Sequence, residues 1–297
     1  MDAVQATKYR FDFLKYRYFW LAVSIGFLAI GAVMYVMKGG FIYDIDFTGG
    51  AEMHVAYEQP VDIGKVRSAM ASRGWGDAAI QSVGATSKDF LITVPNLGAD
   101  GEARIKTDLN ESIAGNKGTI SGIQIVGAQA GKDTTQNAII AVLVALLILL
   151  LYIAIRFEWR FGVGAIASLI HDVLAVLVFL LLTGVPISVD VLAAVLSVLG
   201  YSLHDTIVIF SRIRDNMKGM QGLNEYDIAN LSINQTLRRT LLTSFATMLS
   251  VLAILVLGGH SLRGLSAVLL VGIVVGTYSS IYIASPVMLA MKRKKSA

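Results

Sequence analysis

The chain contains no cysteine. Disulfide frameworks, thiolate nucleophiles and thiolate metal sites are therefore excluded. Histidine is almost as scarce: the four residues, His54, His171, His204 and His260, are scattered and form no ligand cluster. No nucleotide-binding loop is legible either. The nearest approach, Gly127-Ala-Gln-Ala-Gly131-Lys132-Asp133, has Val126 where a Walker A loop needs glycine and Asp133 where it needs Ser or Thr. It reads as a flexible linker. A cleavable leader is also disfavoured. The first apolar run is longer than the roughly 7–15 residues of a signal-peptide core, and MYVMKGGFIYDID after it lacks a small-x-small cleavage site. That run reads as a retained anchor.

What the sequence does have is apolar length. Of its 297 residues 55% are apolar, with mean hydropathy +0.65, against ~45–50% in an ordinary soluble domain. The excess falls in blocks of about twenty residues, enough to cross ~30 Å of hydrocarbon as helix. Six spans are expected, at Phe19–Met37, Asn137–Ile155, Phe161–Thr183, Val189–Phe210, Thr240–Leu257 and Leu265–Met291. Lys and Arg set their orientation. Fifteen fall in the segments read as inside, among them the tail Lys292, Arg293, Lys294 and Lys295, whereas the two short outside loops hold Arg263 alone. Basic residues favour the cytoplasmic side, and long domains translocate largely regardless of charge. Both termini are then cytoplasmic, and residues 39–135 lie outside. Trp20 and Trp159 sit at span ends, where amphipathic rings favour the interface.

The external segment reads as strand 51–57, helix 62–73, strand 79–83, strand 90–94, helix 100–114 and strand 119–126. In the first strand Met53, Val55 and Tyr57 alternate with Glu52, His54 and Ala56, the period of a half-buried strand. The order β-α-β-β-α-β predicts an α+β domain of the ferredoxin-like type, a fold that assigns no function by itself. Asp44, Asp46 and Glu52 around Gly49-Gly50 read as solvated charges at a strand entry rather than a metal site, and His54 as a solvent-facing side chain.

Ionisable residues at bilayer depth are costly and become functional candidates by default. His171 and Asp172 fall near the middle of the third span. Asp190, at the start of the fourth, complements a helix dipole. Asp205 lies inside the fourth span, about 10 Å inward of Arg212 at 1.5 Å per residue, and shares a helix face with Val198, Tyr201 and Val208, with Ser202 beside them. His204 and Thr206 flank it. The fifth span opens with Arg238-Arg239, and Arg239, Thr243 and Thr247 recur four residues apart as a polar stripe. A carboxylate and a guanidinium in the same half of adjacent spans are expected to face each other, because burying either alone is costly. Structural pairing and proton relay are equally open on the residues alone. Gly272 and Gly276, with Ser279 and Ser280 below, predict close helix packing.

DIDFTGGAEMHV (44–55), HDVLAVLVF (171–179), SVLGYSLHDTIVIFSRIRDN (197–216) and INQTLRRTLLTS (233–244), spread over nearly the whole chain, resemble the SecF family within the resistance-nodulation-division superfamily. Ser211 departs from the aspartate that many members have there. The resemblance implies a polytopic α-helical membrane protein of the bacterial inner membrane with one external domain. It implies pairing with SecD into a twelve-span unit, association with SecYEG, YidC and YajC, and contact with unfolded translocating polypeptide. It further implies export driven by the proton gradient, with Asp205 and Arg239 matching the family's proton-relay aspartate and arginine. Asp172, His171, Ser202, His204, Thr206 and Thr243 would support them. No enzymatic activity, cofactor, metal or nucleic-acid partner is expected. A small-molecule proton antiporter of the same superfamily and a passive translocon scaffold are the alternatives.

Overall fold

A computed structural model describes residues 10–83, 87–95, 101–110, 116–220, 222–259 and 261–291. The basic tail at 292–297 and the end of the expected second external helix, 111–115, lie outside the described residues. The chain divides into two compact units. One comprises 1–42, 142–186 and 190–297, and the other 43–141 with 187–189.

The smaller unit is built on a four-stranded sheet. Its elements run α2 (Ile45–Thr48), β1 (Gly50–Tyr57), α3 (Ile63–Ser72), β2 (Ala79–Val83), β3 (Asp89–Pro95), α4 (Gly101–Asn110) and β4 (Gly118–Val126). The sheet order is β2-β3-β1-β4, with every neighbouring pair antiparallel. The alternation in β1 works as expected: Met53, Val55 and Tyr57 are buried against Val66 and Met70 of α3 and Ile105 of α4. Each such side chain is worth ~1.5–3 kcal/mol of hydrophobic burial. The Asp62 side chain caps α3 by accepting from the Gly64 amide at 2.8 Å. The Gly49-Gly50 pair is a close approach of backbones. Both have positive φ (69° and 137°), and a Cβ at Gly50 would stand 2.2 Å from the Val94 carbonyl oxygen.

Two expectations fail here. Residues 127–133 are not a flexible linker: helix α5 (Ala128–Arg156) begins at Ala128 and runs unbroken into the second span. Gly131 lets that helix lie against the α2 turn, where a Cβ would meet the Gly49 nitrogen at 2.9 Å. The acidic trio is not freely solvated either. The Asp44 carboxylate accepts from the Ile45 amide, Asp46 accepts from the Val189 amide at 3.0 Å, and Glu52 is half-buried beside Thr93. His54 is also half-buried.

Burial pushes the Glu52 carboxyl from 4.5 up to about 7; repulsion from Asp44 and Asp46 adds to this, and the Thr93 hydroxyl opposes it. A carboxyl raised on folding adds stability that is complete below its unfolded value and lost as pH rises through its folded one. The smaller unit should therefore weaken between pH 4.5 and about 7. Thermal unfolding of the detergent-solubilised protein at pH 5 and pH 8 checks this, and Glu52→Gln should flatten the difference; an equal slope in both proteins refutes it.

The larger unit holds the membrane helices: α1 (Arg17–Lys38), most of α5, α6 (Trp159–Thr183), α7 (Val189–Gly219, from Asp190), α8 (Glu225–Leu257), α9 (Arg263–Ser279) and α10 (Ser285–Ala290). With α9 and α10 counted as one span, six helices among the described residues are long and apolar enough to cross a bilayer. In their most apolar stretches 56% of residues in α6, 44% in α7 and 50% in the last span are buried, against 11% in α1, 6% in α5 and 17% in α8. The three central helices therefore form the core, and α1, α5 and α8 present apolar faces outward. Small residues set the approach distances. A Cβ at Gly272 would stand 2.1 Å from Val198 Cγ2, at Gly276 2.9 Å from Ser202 Cβ, and at Gly31 2.1 Å from Val178 Cγ2.

Two features exceed the expected spans. Helix α8 extends to Glu225, well before Thr240, and its two asparagines hold the N-terminal segment: Asn230 Oδ1 accepts from the Phe13 amide at 3.0 Å and Asn234 Oδ1 from the Phe11 amide at 3.0 Å. Arg160 is buried and makes a two-point ion pair with Glu225 (3.2 Å and 2.5 Å). The last span is interrupted by a π-helical segment, Ser280–Ala284. Pro286 in the following turn lacks the N–H that the Tyr282 carbonyl would otherwise receive, which accounts for the slipped register.

Candidate intramembrane proton site

Asp205 sits on α7 with 2% of its surface exposed. Helix periodicity buries Val198, Ser202, Asp205 and Ile209 along the side of α7 that meets α9 and the π segment. Among the described residues the carboxylate has one hydroxyl within reach, Thr277 Oγ1 on α9 at 3.5 Å; that hydroxyl is 2.9 Å from the Ile273 carbonyl, its better acceptor. Thr277 is joined to Ser244 of α8 at 2.8 Å, and Ser244 accepts from the Tyr201 hydroxyl at 2.9 Å. A cleft of ≈470 Å³ lined by Leu241, Leu242, Ser244, Phe245, Met248, Val274 and Thr277 reaches these hydroxyls between α8 and α9.

The expected ion pair is not formed. Among the described residues no Lys or Arg nitrogen lies within 4.0 Å of Asp205, and Arg239 is exposed. The physical reason is rotational. On this stretch of α8 Thr240 and Ser244 turn inward, whereas Arg239 and Thr243 lie on its outer side with Leu242. Thr243 satisfies its hydroxyl on the Arg239 and Thr240 carbonyls (3.0 and 2.9 Å). His204, next to Asp205 in the chain, is exposed. Asp190 is exposed in the first turn of α7.

A second polar cluster is deeper and more fully bonded. Asp172 is fully buried, accepting at Oδ2 from Ser202 (2.5 Å) and Ser279 (2.9 Å). Its Oδ1 meets His171 Nδ1 at 3.2 Å. His171 Nε2 lies 3.1 Å from Ser24 Oγ on α1, which is 2.8 Å from the Tyr278 hydroxyl. Thr206 bonds Ser280 at 2.8 Å, beside the π segment. The sequence reading marked Asp172, His171, Ser202 and Thr206 but missed Ser24, Thr277 and Tyr278. The available signal was a polar side chain inside an otherwise apolar run.

The geometry is that of a helical bundle with two buried carboxylates, one densely hydrogen-bonded and one nearly bare. Three comparisons place it. The family "Protein export membrane protein SecD/SecF, C-terminal" matches residues 105–294. The protein translocase subunit SecF of Pseudomonas aeruginosa is 40% identical over 278 residues, covering 94% of this chain and 90% of the relative. That of Escherichia coli O157:H7 is 36% identical, covering 96% and 89%. The crystal structure of SecDF, a translocon-associated membrane protein from Thermus thermophilus, superposes with a TM-score of 0.85 at 37% identity, over 96% of this chain and 39% of that longer one. A second form of SecDF, described as super-membrane-facing, gives 0.68. With relatives of this identity matched over about nine-tenths of their length and the family model covering both buried carboxylates, the chain belongs to the SecF family of protein translocase subunits.

Proposed function

We propose that this chain is the SecF half of a SecD–SecF unit that uses the proton gradient to promote late steps of polypeptide export across the bacterial inner membrane. The observation behind this reading is Asp205: a buried carboxylate on the central helix of a membrane bundle, with no counter-charge within 4.0 Å among the described residues. Ionised, it forfeits hydration with only the distant Thr277 hydroxyl in contact; protonated, it needs no counter-charge. A proton arriving there changes which helix packing is stable. Arg239, one helix away and facing outward, is the group whose approach would favour the ionised form, so the pair can alternate between contact and separation.

SecD is proposed as the partner, in line with the fused Thermus thermophilus relative, of which this chain matches 39%. Association with SecYEG, YidC and YajC, and contact with unfolded polypeptide, belong to the same proposal. So do cytoplasmic termini and a periplasmic domain, which the distribution of Lys and Arg supports. The strand order β2-β3-β1-β4 with two helices on one face supports a ferredoxin-like assignment for that domain. No bond-making step and no cofactor are part of the reading.

The test is export into vesicles that contain the translocation channel, with and without this chain and its SecD partner. The increment that the pair adds should vanish when an ionophore collapses the gradient. An increment that survives the ionophore would make the chain a passive scaffold.

A further inference from the structure

Hydrogen-bond polarity around Asp172 fixes how many protons the cluster holds. The Tyr278 hydroxyl lies 2.8 Å from the Trp20 carbonyl, which can only accept, so Tyr278 spends its proton there. The Ser24 hydroxyl, 2.8 Å from the same tyrosine oxygen, must then donate to it. Ser24 Oγ is left to accept, so His171 Nε2, at 3.1 Å, must carry a hydrogen. At the far end, Asp172 Oδ2 accepts from Ser202 and Ser279. What remains is the 3.2 Å contact between His171 Nδ1 and Asp172 Oδ1. With Nε2 already protonated, a neutral imidazole has a bare Nδ1, and a bare Nδ1 against a carboxylate places two acceptors face to face.

We infer that the His171–Asp172 contact holds one shared proton in this structure and is a second proton-binding site of the bundle, distinct from Asp205. The proton lies on Oδ1 as a carboxylic acid or on Nδ1 as an imidazolium, and the pair is neutral either way. Ser24, His171, Asp172, Ser202 and Ser279 are all buried. The groups facing the pair are Ser24 from α1, Ser202 from α7, and Ser279 and Tyr278 from α9. Asp205, one turn along α7 from Ser202, directs its carboxylate to Thr277. No Lys or Arg lies within 4.0 Å of Asp172 among the described residues.

Loss of that proton has a defined consequence. The imidazole can satisfy an ionised Asp172 only by moving its hydrogen to Nδ1. Nε2 must then accept from Ser24, and Ser24 from Tyr278. Tyr278 would have no hydrogen left for Trp20, and two bare oxygens would face each other at 2.8 Å. Deprotonation therefore releases Tyr278 of α9 from the Trp20 carbonyl of α1. The proton state of one buried pair is thereby tied to the seating of the first span against the last.

Asp172→Asn separates chemistry from architecture. Its Oδ1 can accept from Ser202 and Ser279 while its amide donates to Nδ1, which reproduces the protonated arrangement permanently. The first measurement is ring ¹⁵N NMR of histidine-labelled protein, purified with its SecD partner, against pH. The His171 signals are assigned by their loss in His171→Gln. The inference expects Nε2 to be protonated at neutral pH with Nδ1 engaged by a proton, and a single step on raising pH in which the hydrogen moves to Nδ1. A His171 with bare Nδ1 and ionised Asp172 at neutral pH overturns it, and this arm needs no folded variant. The second is gradient-driven export. The use of this proton rests on the proposed function, so Asp205→Asn is measured alongside. Asp172→Asn with normal assembly and no gradient-dependent increment supports the second site. Normal export by Asp172→Asn while Asp205→Asn has lost it rejects the second site's role alone, and normal export by both rejects the proton-coupled reading itself.

Discussion

Asp205→Asn is expected to reduce gradient-driven export to the level of vesicles that lack the chain, without reducing the amount of protein assembled with SecD. The two halves of that expectation have separate causes. Asparagine matches aspartate in size, and Asp205 is held by a single weak contact, the 3.5 Å approach of Thr277. Thr277 keeps its bonds to the Ile273 carbonyl and Ser244 whatever stands at 205. The Tyr201–Ser244–Thr277 chain should therefore survive, and the bundle loses little packing. The amide, however, cannot gain or lose a proton near neutral pH. It also removes a buried carboxylate that, among the described residues, has no Lys or Arg nitrogen within 4.0 Å, so the variant protein should be no less thermally stable than the original. Quantifying export with and without an ionophore, together with co-purified SecD, checks both halves. Full gradient-dependent export by the variant would refute the relay role.

The second large effect is steric. Gly272→Ala should lower the thermal midpoint, and Gly200→Ala should not. Exchanging glycine for alanine inside a helix ordinarily gains up to ~1 kcal/mol in propensity. At Gly272 the new Cβ would stand 2.1 Å from Val198 Cγ2 and 2.7 Å from Cγ1, both β-branched methyls with one good rotamer on a helix. Overpacking of this kind costs about 1–3 kcal/mol, which outweighs the propensity gain. At Gly200 a Cβ meets nothing within 4 Å, so the propensity gain stands alone. Val198→Ala on the Gly272→Ala background removes the two nearest atoms, leaves Val198 Cβ at 2.9 Å, and should restore part of the loss. The double-mutant cycle in thermal unfolding measures the coupling directly. Equal effects at Gly200 and Gly272 would show that the α7–α9 contact is looser than described.

These variants sit on contacts of unequal legibility. The G-x-x-x-G spacing announced a close helix approach, because glycine at that interval in an apolar run has few other uses. It could not name Val198 and Ser202 as the residues approached, since a partner helix is chosen by packing rather than by local sequence. The acidic residues of the smaller unit show the converse. Asp44, Asp46 and Glu52 look alike as letters, yet the sheet register half-buries Glu52 beside Thr93, while the α2 turn seats the other two as acceptors for backbone amides. Gly127–Asp133 misled because glycine and polar residues signal a loop. The α2 turn needs a glycine in the helix that lies against it, and that requirement appears only once both segments are placed.

What the sequence determined by itself was everything governed by solvent transfer and period. Hydrocarbon thickness dictated six apolar spans, alternation in 51–57 dictated a strand with Met53, Val55 and Tyr57 inward, and the cost of burying charge singled out Asp172 and Asp205. What only the tertiary structure decided was rotation about each helix axis. A few tens of degrees turn Arg239 outward and Ser244 inward on α8, and bring Ser24, Tyr278 and Ser279 from distant spans onto one carboxyl–imidazole pair. A linear pattern gives which residues share a face; which neighbour that face meets depends on packing summed over all the helices at once.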